Sequence, residues 1–386
     1  MRLPRHRRAA PAQPHPRPSS AAYGDGSDRI DSRRAGARSA RRDAPDRARD
    51  SAARERERGM TPPQVATVVM YHLVQPPDAG PVAGLKSVDV AAFRGQVAYI
   101  RRHYTPVSSI DLVAAIDAGS PLPPRPIVLT FDDGYRCHRD HVFPLLQAER
   151  VPATFFPVAS ALIERRLLDV NKIQCVLASV DDLDRLVREI DAEVEAASRN
   201  GDCLPPSTYR ATWWRASRWD PPAVVYVKRL LQHALPDAVR VPLVDDLFRT
   251  IVSIDERRLA DDLYMDVDDL HAMKAAGMTI GAHGDRHVRL PTLPEDGQAR
   301  EIDGALRVLD AVGASREAFV YCYANGEHDE TSVDLLRARG CRAAFTTRPD
   351  LARLAAGEML TLPRLDANDF PSDANAPPSE WTRRAF

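Results

Sequence analysis

The sequence predicts an α/β fold, a distorted (β/α)7, TIM-like barrel that carries a helical insertion. Three observations point there. From about residue 65 onward, short β-branched or aromatic runs alternate with amphipathic stretches, the pattern of βα units around a parallel sheet. Seven such runs occur, nearly enough to close a barrel. Two of them end abruptly in polar residues, and barrels build their sites at the C-terminal ends of strands.

Taken in order, 68–74 (Val-Val-Met-Tyr-His-Leu-Val) reads as the first strand and 88–103 as a helix with one apolar face. A second helix is predicted over 109–118, then the strand 127–131 (Ile-Val-Leu-Thr-Phe), a helix over 138–149 and a strand over 153–158. The alternation breaks at 161–265, which holds helical segments such as 181–197 and 224–235 but no convincing strand. We read it as a helical insertion near the rim of any site, either a lid or substrate wall or a subdomain packed on the barrel. The pattern then resumes with a helix at 267–276, strand 279–282, helix 299–312, strand 318–323, helix 331–339 and strands 342–346 and 360–365. Residues 371–386 are Pro-rich and polar and read as a loose tail.

A length of 386 residues fits one main catalytic domain, placed at 60–370. Residues 1–59 differ in kind, with sixteen Arg against eight acidic residues and almost nothing to build a core, whereas the remainder carries a net −9. They are expected to be disordered. Alternatively, translation begins at Met60. The Arg-rich arm leaves nucleic-acid binding open as a minor reading, but the overall composition does not call for it and none is expected as a partner. Five scattered cysteines without a CxxC pair argue against a disulfide framework and a thiolate zinc site. No apolar run is long enough to span a bilayer or resembles a signal peptide, so a cytoplasmic location is the default expectation. The oligomeric state is not legible.

Two constellations carry chemistry. In Ile127-Val-Leu-Thr-Phe-Asp-Asp-Gly-Tyr135 an apolar strand ends in two adjacent carboxylates, which repel unless a cation or a proton transfer uses them. Side chains alternate along a strand, so Asp132 and Asp133 face different ways and have different jobs. The plainer alternative is an Asp-Asp-Gly turn capping the next helix. In Thr279-Ile-Gly-Ala-His-Gly-Asp-Arg-His287 two histidines four apart follow a short strand, a spacing that brings both imidazoles to one side. With a strand-end Asp they make a two-His, one-carboxylate set that leaves coordination positions open, which is the mark of catalysis rather than structure.

These residues resemble the motifs of the polysaccharide deacetylases, the NodB-like homology family. Thr130-Phe-Asp-Asp-Gly134 is similar to the first motif and His283-Gly-Asp-Arg-His287 to the second, with Gly284 where Ser or Thr is usual. Phe319-Val-Tyr-Cys-Tyr-Ala-Asn-Gly326 resembles the third in its poly-N-acetylglucosamine deacetylase form, with Cys322 in place of proline, and Met70-Tyr-His-Leu-Val74 resembles that branch as well. The resemblance implies a divalent metal, zinc foremost, held by Asp133, His283 and His287, with Asp132 as general base. It also implies oxyanion or substrate contacts from a backbone N–H near Tyr323 and from Gly134 and Tyr135. Arg364 would position the base, the alternative being an ion pair with Asp366 or Asp369. The family's late histidine acid is absent, which leaves His72 and His328 as candidates, or neither. His138 and His141 read as surface or supporting residues, and Trp213, Trp214 and Trp219 as an aromatic cluster, either core or sugar-stacking. The expected activity is N-deacetylation of an acetylated glycan or sugar precursor. O-acetyl esterase or small-amide deacylase chemistry on the same centre, and a degenerate glycan binder without turnover, are the alternatives.

Overall fold

The computed structural model describes residues 64–77, 79, 84–355 and 357–385; the expectation for 1–59 lies outside them. Nine strands occur among the described residues: β1 (Gln64–Tyr71), β2 (Thr105–Pro106), β3 (Pro126–Asp133), β4 (Ala153–Pro157), β5 (Thr279–Ile280), β6 (Phe319–Cys322), β7 (Cys341–Phe345), β8 (Ala352–Leu354) and β9 (Leu365–Asp366). The first sheet runs β5-β4-β3-β1-β8, with β9 also parallel to β1 and β2 parallel to β3. All eight residues of β3 are buried, as expected of a central parallel strand covered on both faces.

A second sheet pairs β6 with β7 in parallel. Single bridges join it to the first: Ala282 pairs with Tyr321 beyond the end of β5, and Phe345 pairs with Leu362 just before β9. The circle β1-β3-β4-β5-β6-β7-β9 is therefore continuous, and the chain is a distorted α/β barrel. The two joints explain why the expected strands 279–282 and 360–365 appear shortened. Gly281 lies where a Cβ would come within 2.4 Å of the Phe156 ring, and Pro363 lacks the N–H of a ladder. The short antiparallel strand β8, which pairs with β1, has no counterpart in the sequence reading.

Between β4 and β5 the chain is helical, including Asp169–Ser179, Leu183–Arg199, Pro206–Trp213, Pro222–Arg229, Asp237–Ile251 and Glu256–Leu263. These helices pack around Ile173, Leu186, Ile190, Tyr226, Leu230 and Val244, in a core that also takes in Leu73, Tyr135, Cys137 and Val158 of the barrel. Its exit is stitched to the barrel, because Met265 N–H donates to the Gly134 carbonyl and Tyr135 bridges to Tyr264. No helix among the described residues is long and apolar enough to cross a membrane.

The C-terminal stretch, expected to be loose, is packed. Glu380–Arg384 is helical, Thr382 is buried with its hydroxyl on Tyr99 and Tyr104, and Ser379 N–H donates to the Tyr99 hydroxyl. Its composition misled because two tyrosines of the barrel supply the polar partners that a short Ser/Thr segment needs.

Candidate active site

The first motif lies at the C-terminal end of β3, where alternation turns its two carboxylates apart. Asp133 (φ 70°) and Gly134 (φ 74°) leave the strand through the left-handed region. Glycine is required at 134, since a Cβ there would come within 2.7 Å of Pro157. The turn aims Asp133 Oδ1 at two imidazoles, 3.4 Å from His283 Nε2 and 3.4 Å from His287 Nε2, contacts that do not satisfy this buried oxygen as hydrogen bonds. Asp133 is also held well below the usual carboxylate range: burial pushes it up, but His283 and His287 outweigh that.

The two histidines sit on the loop that follows β5. His283 Nδ1 donates to the Cys322 carbonyl at 2.8 Å, which turns Nε2 toward Asp133. Burial pushes His287 down to about 4, favouring the neutral, ligating form. The loop turns at Gly284 (φ 80°) and His287 (φ 61°). Its support comes from a residue that the motif reading missed, Glu301, whose buried Oε1 accepts from Asp285 N–H (3.0 Å) and Arg286 N–H (2.8 Å). This carboxylate braces the loop through those two backbone N–H groups. A glutamate on the buried face of Glu295–Ala305, beside Gln298 and Ile302, was the available signal.

Asp132, on the other side of β3, meets the fully buried Arg364, not the alternative partners Asp366 and Asp369. Arg364 donates to both Asp132 oxygens at 2.8 Å, and to the Thr346 carbonyl, Thr130 Oγ1 and Cys322 Sγ. Burial alone would raise the Asp132 carboxyl, but Arg364 and then His283 outweigh it and hold it at about 2. Among the described residues two groups have metal-ligand spacing, Asp132/His283/Cys322 and Asp133/His283/His287. The second fits a metal better, because its carboxylate oxygen is orphaned whereas both Asp132 oxygens are committed to Arg364.

Of the two candidate acids, His72 joins the site, with Nε2 3.9 Å from Asp132 Oδ2 and about half of its side chain exposed. His328 does not; it stacks on Tyr323 and faces a separate pocket with Asp329, Val333 and Arg337. The oxyanion role for the Tyr323 N–H fails, because that group donates to the Phe345 carbonyl in the sheet, and the Tyr323 hydroxyl donates to Leu360 O. Tyr135 is no open substrate contact either. It is buried, stacked on Tyr264, and its hydroxyl accepts from Asn171, so it braces the insertion. His138 is buried and bonds the His72 carbonyl. The tryptophans do not form one cluster: Trp213 meets His233, Trp214 meets Tyr226, and exposed Trp219 lies beside His72 in one pocket.

The family model described as polysaccharide deacetylase matches residues 119–201 and 250–344, which contain Asp132, Asp133, His283, His287 and Cys322. The two matched stretches carry a domain of the polysaccharide deacetylase family. The chain is similar to the poly-beta-1,6-N-acetyl-D-glucosamine N-deacetylase of Escherichia coli (strain K12), with 47% identity over 75 residues, 19% of this chain and 11% of that protein. The match thus spans only about a tenth of that curated relative. Among solved structures, the de-N-acetylase from Aggregatibacter actinomycetemcomitans shares 15% identity at a TM-score of 0.47, covering 84% of this chain and 100% of that one. IcaB from Ammonifex degensii shares 16% identity at a TM-score of 0.47, covering 83% and 96%.

Proposed function

We propose that this chain is a metal-dependent hydrolase that removes N-acetyl groups from a glycan or glycan precursor. The observation that carries the reading is the pair of unlike carboxylates on β3: Asp133 Oδ1 is buried, unpartnered and shared between two imidazoles, while Asp132 is clamped by Arg364. Asp133, His283 and His287 would hold the ion, and a mixed imidazole and carboxylate set suits zinc. When bound, such an ion supplies Lewis acidity, acidifying a water and polarising the acetyl carbonyl.

Asp132 acts as the general base. Held ionised and in one orientation by Arg364, it takes the proton of the attacking water. His72, on the exposed side of Asp132, protonates the leaving amine. The likeness to a deacetylase of poly-β-1,6-N-acetylglucosamine supports an amino-sugar substrate.

The test is acetate release from N-acetylglucosamine oligomers by the zinc-loaded chain. Asp132→Asn should lower the rate by about 10²- to 10⁴-fold with zinc content unchanged. Equal rates in wild type and variant would remove the hydrolase reading, and faster release from O-acetylated sugars would move it to an esterase.

A further inference from the structure

Beside His287 lies a cavity of about 370 Å³ that the proposed chemistry does not use. One wall is the metal loop and its continuation, Arg286 and Arg289; the other comes from the insertion, with His233 and Arg240. Residues 202–249, which supply His233 and Arg240, fall outside the stretches that the family model matches. This part of the wall therefore lies outside the shared motifs.

The three arginines of the cavity and its neutral His233 are not equally engaged. Arg240 is matched by Asp169 and Asp237. Arg289 is about nine-tenths buried and pairs with Glu327 through one terminal nitrogen, but its Nε–H is buried without a partner. The Nε2 of His233 is buried without a partner as well. Arg286 approaches Glu301 only at 3.6 Å and is half exposed. Buried donors almost always find an acceptor, and a guanidinium favours a charged one. The unfilled Arg289 Nε–H and the half-exposed Arg286 both belong to residues that line a cavity adjoining the proposed metal ligand His287.

We propose that this pocket binds an oxyanion, a carboxylate or a phosphate, carried next to the acetamido group that is removed, so that the chain prefers an acidic or phosphorylated glycan to a neutral polymer. The inference rests on the deacetylase reading for the placement of the acetamido group, but not for the existence of the anion site.

Three probes test it on the zinc-loaded full chain: N,N′-diacetylchitobiose as the neutral reference, a disaccharide of glucuronic acid and N-acetylglucosamine, and N-acetylglucosamine 1-phosphate. Binding is read by calorimetry on the Asp132→Asn protein and acetate release on the wild type. At least one acidic probe should bind about tenfold more tightly than the neutral one, and which of them does so separates carboxylate from phosphate. Arg289→Gln should erase that preference, and Glu327→Gln, which frees Arg289 of its paired charge, should increase it. Equal affinity for all three probes would overturn the proposal. So would a preference untouched by Arg289→Gln or, should that variant not fold, one left unchanged or weakened by Glu327→Gln. Selective anion binding without acetate release from any probe would sink the deacetylase reading and leave the anion site standing. Acetate release without anion preference would do the reverse.

Discussion

The first and third motifs both end a buried parallel strand, yet they serve the site in different ways. At the end of β3 the side chains do the work: Asp132 and Asp133 face opposite ways, one to Arg364 and one to the histidines. At the end of β6 the contribution is mostly backbone and thiol, because the Cys322 carbonyl fixes His283 and its sulfur touches Arg364, while the Tyr323 N–H is consumed by Phe345. The direction of a side chain follows from strand alternation alone. The availability of an N–H depends on what the neighbouring strand does with it.

That contrast can be broken most directly at Asp133. Asp133→Ala should empty the site, reducing bound zinc from one equivalent to nearly none and activity by at least roughly a thousandfold, as measured by metal analysis and acetate release. The two histidines of the sequence reading sharpen it next. His72→Ala should cost about a hundredfold in kcat, and His328→Ala, on the third-motif side, less than about threefold.

His138 supports the first motif from below, and burial pushes its pKa down to about 4. A base with a folded-state pKa below its unfolded value stabilises the fold above the unfolded pKa near 6.5, and that contribution is lost as pH falls toward 4. Between pH 7 and 5, chemical denaturation of the metal-free wild type should therefore lose about 2 kcal/mol more than His138→Gln does. The smallest effect belongs to the third motif. Tyr323→Phe should lower stability by about 1 kcal/mol through the lost bond to Leu360 O, with acetate release changed less than about twofold. A large loss of activity there would restore Tyr323 to the chemistry.

What was legible in the sequence follows the same division. The parallel strands were readable because β-branched runs alternate with amphipathic helices, and the carboxylate and imidazole pairs because they interrupt apolar strand ends. The closure of the barrel was not, since it rests on single bridges at Ala282 and Leu362 rather than on strands. Glu301 was missed because it acts from a helix outside the motif, and Tyr135 was misassigned because its partner Asn171 belongs to the insertion. The local pattern of each residue was sound, but its partner lay elsewhere in the chain.

The pair β6–β7 meets the rest of the barrel along two short seams, where Ala282 bonds Val320 and Cys322 and where Leu362 bonds Ala344 and Thr346. It also supplies the Cys322 carbonyl that orients His283, and the Cys322 sulfur; the Thr346 carbonyl that anchors Arg364 follows directly on β7. The proposed metal ligand His283 and the clamp on the proposed base Asp132 consequently hang from one panel. Any displacement of that panel against the main sheet retunes both at once, so substitutions along the two seams should disturb metal affinity and proton transfer together rather than one at a time.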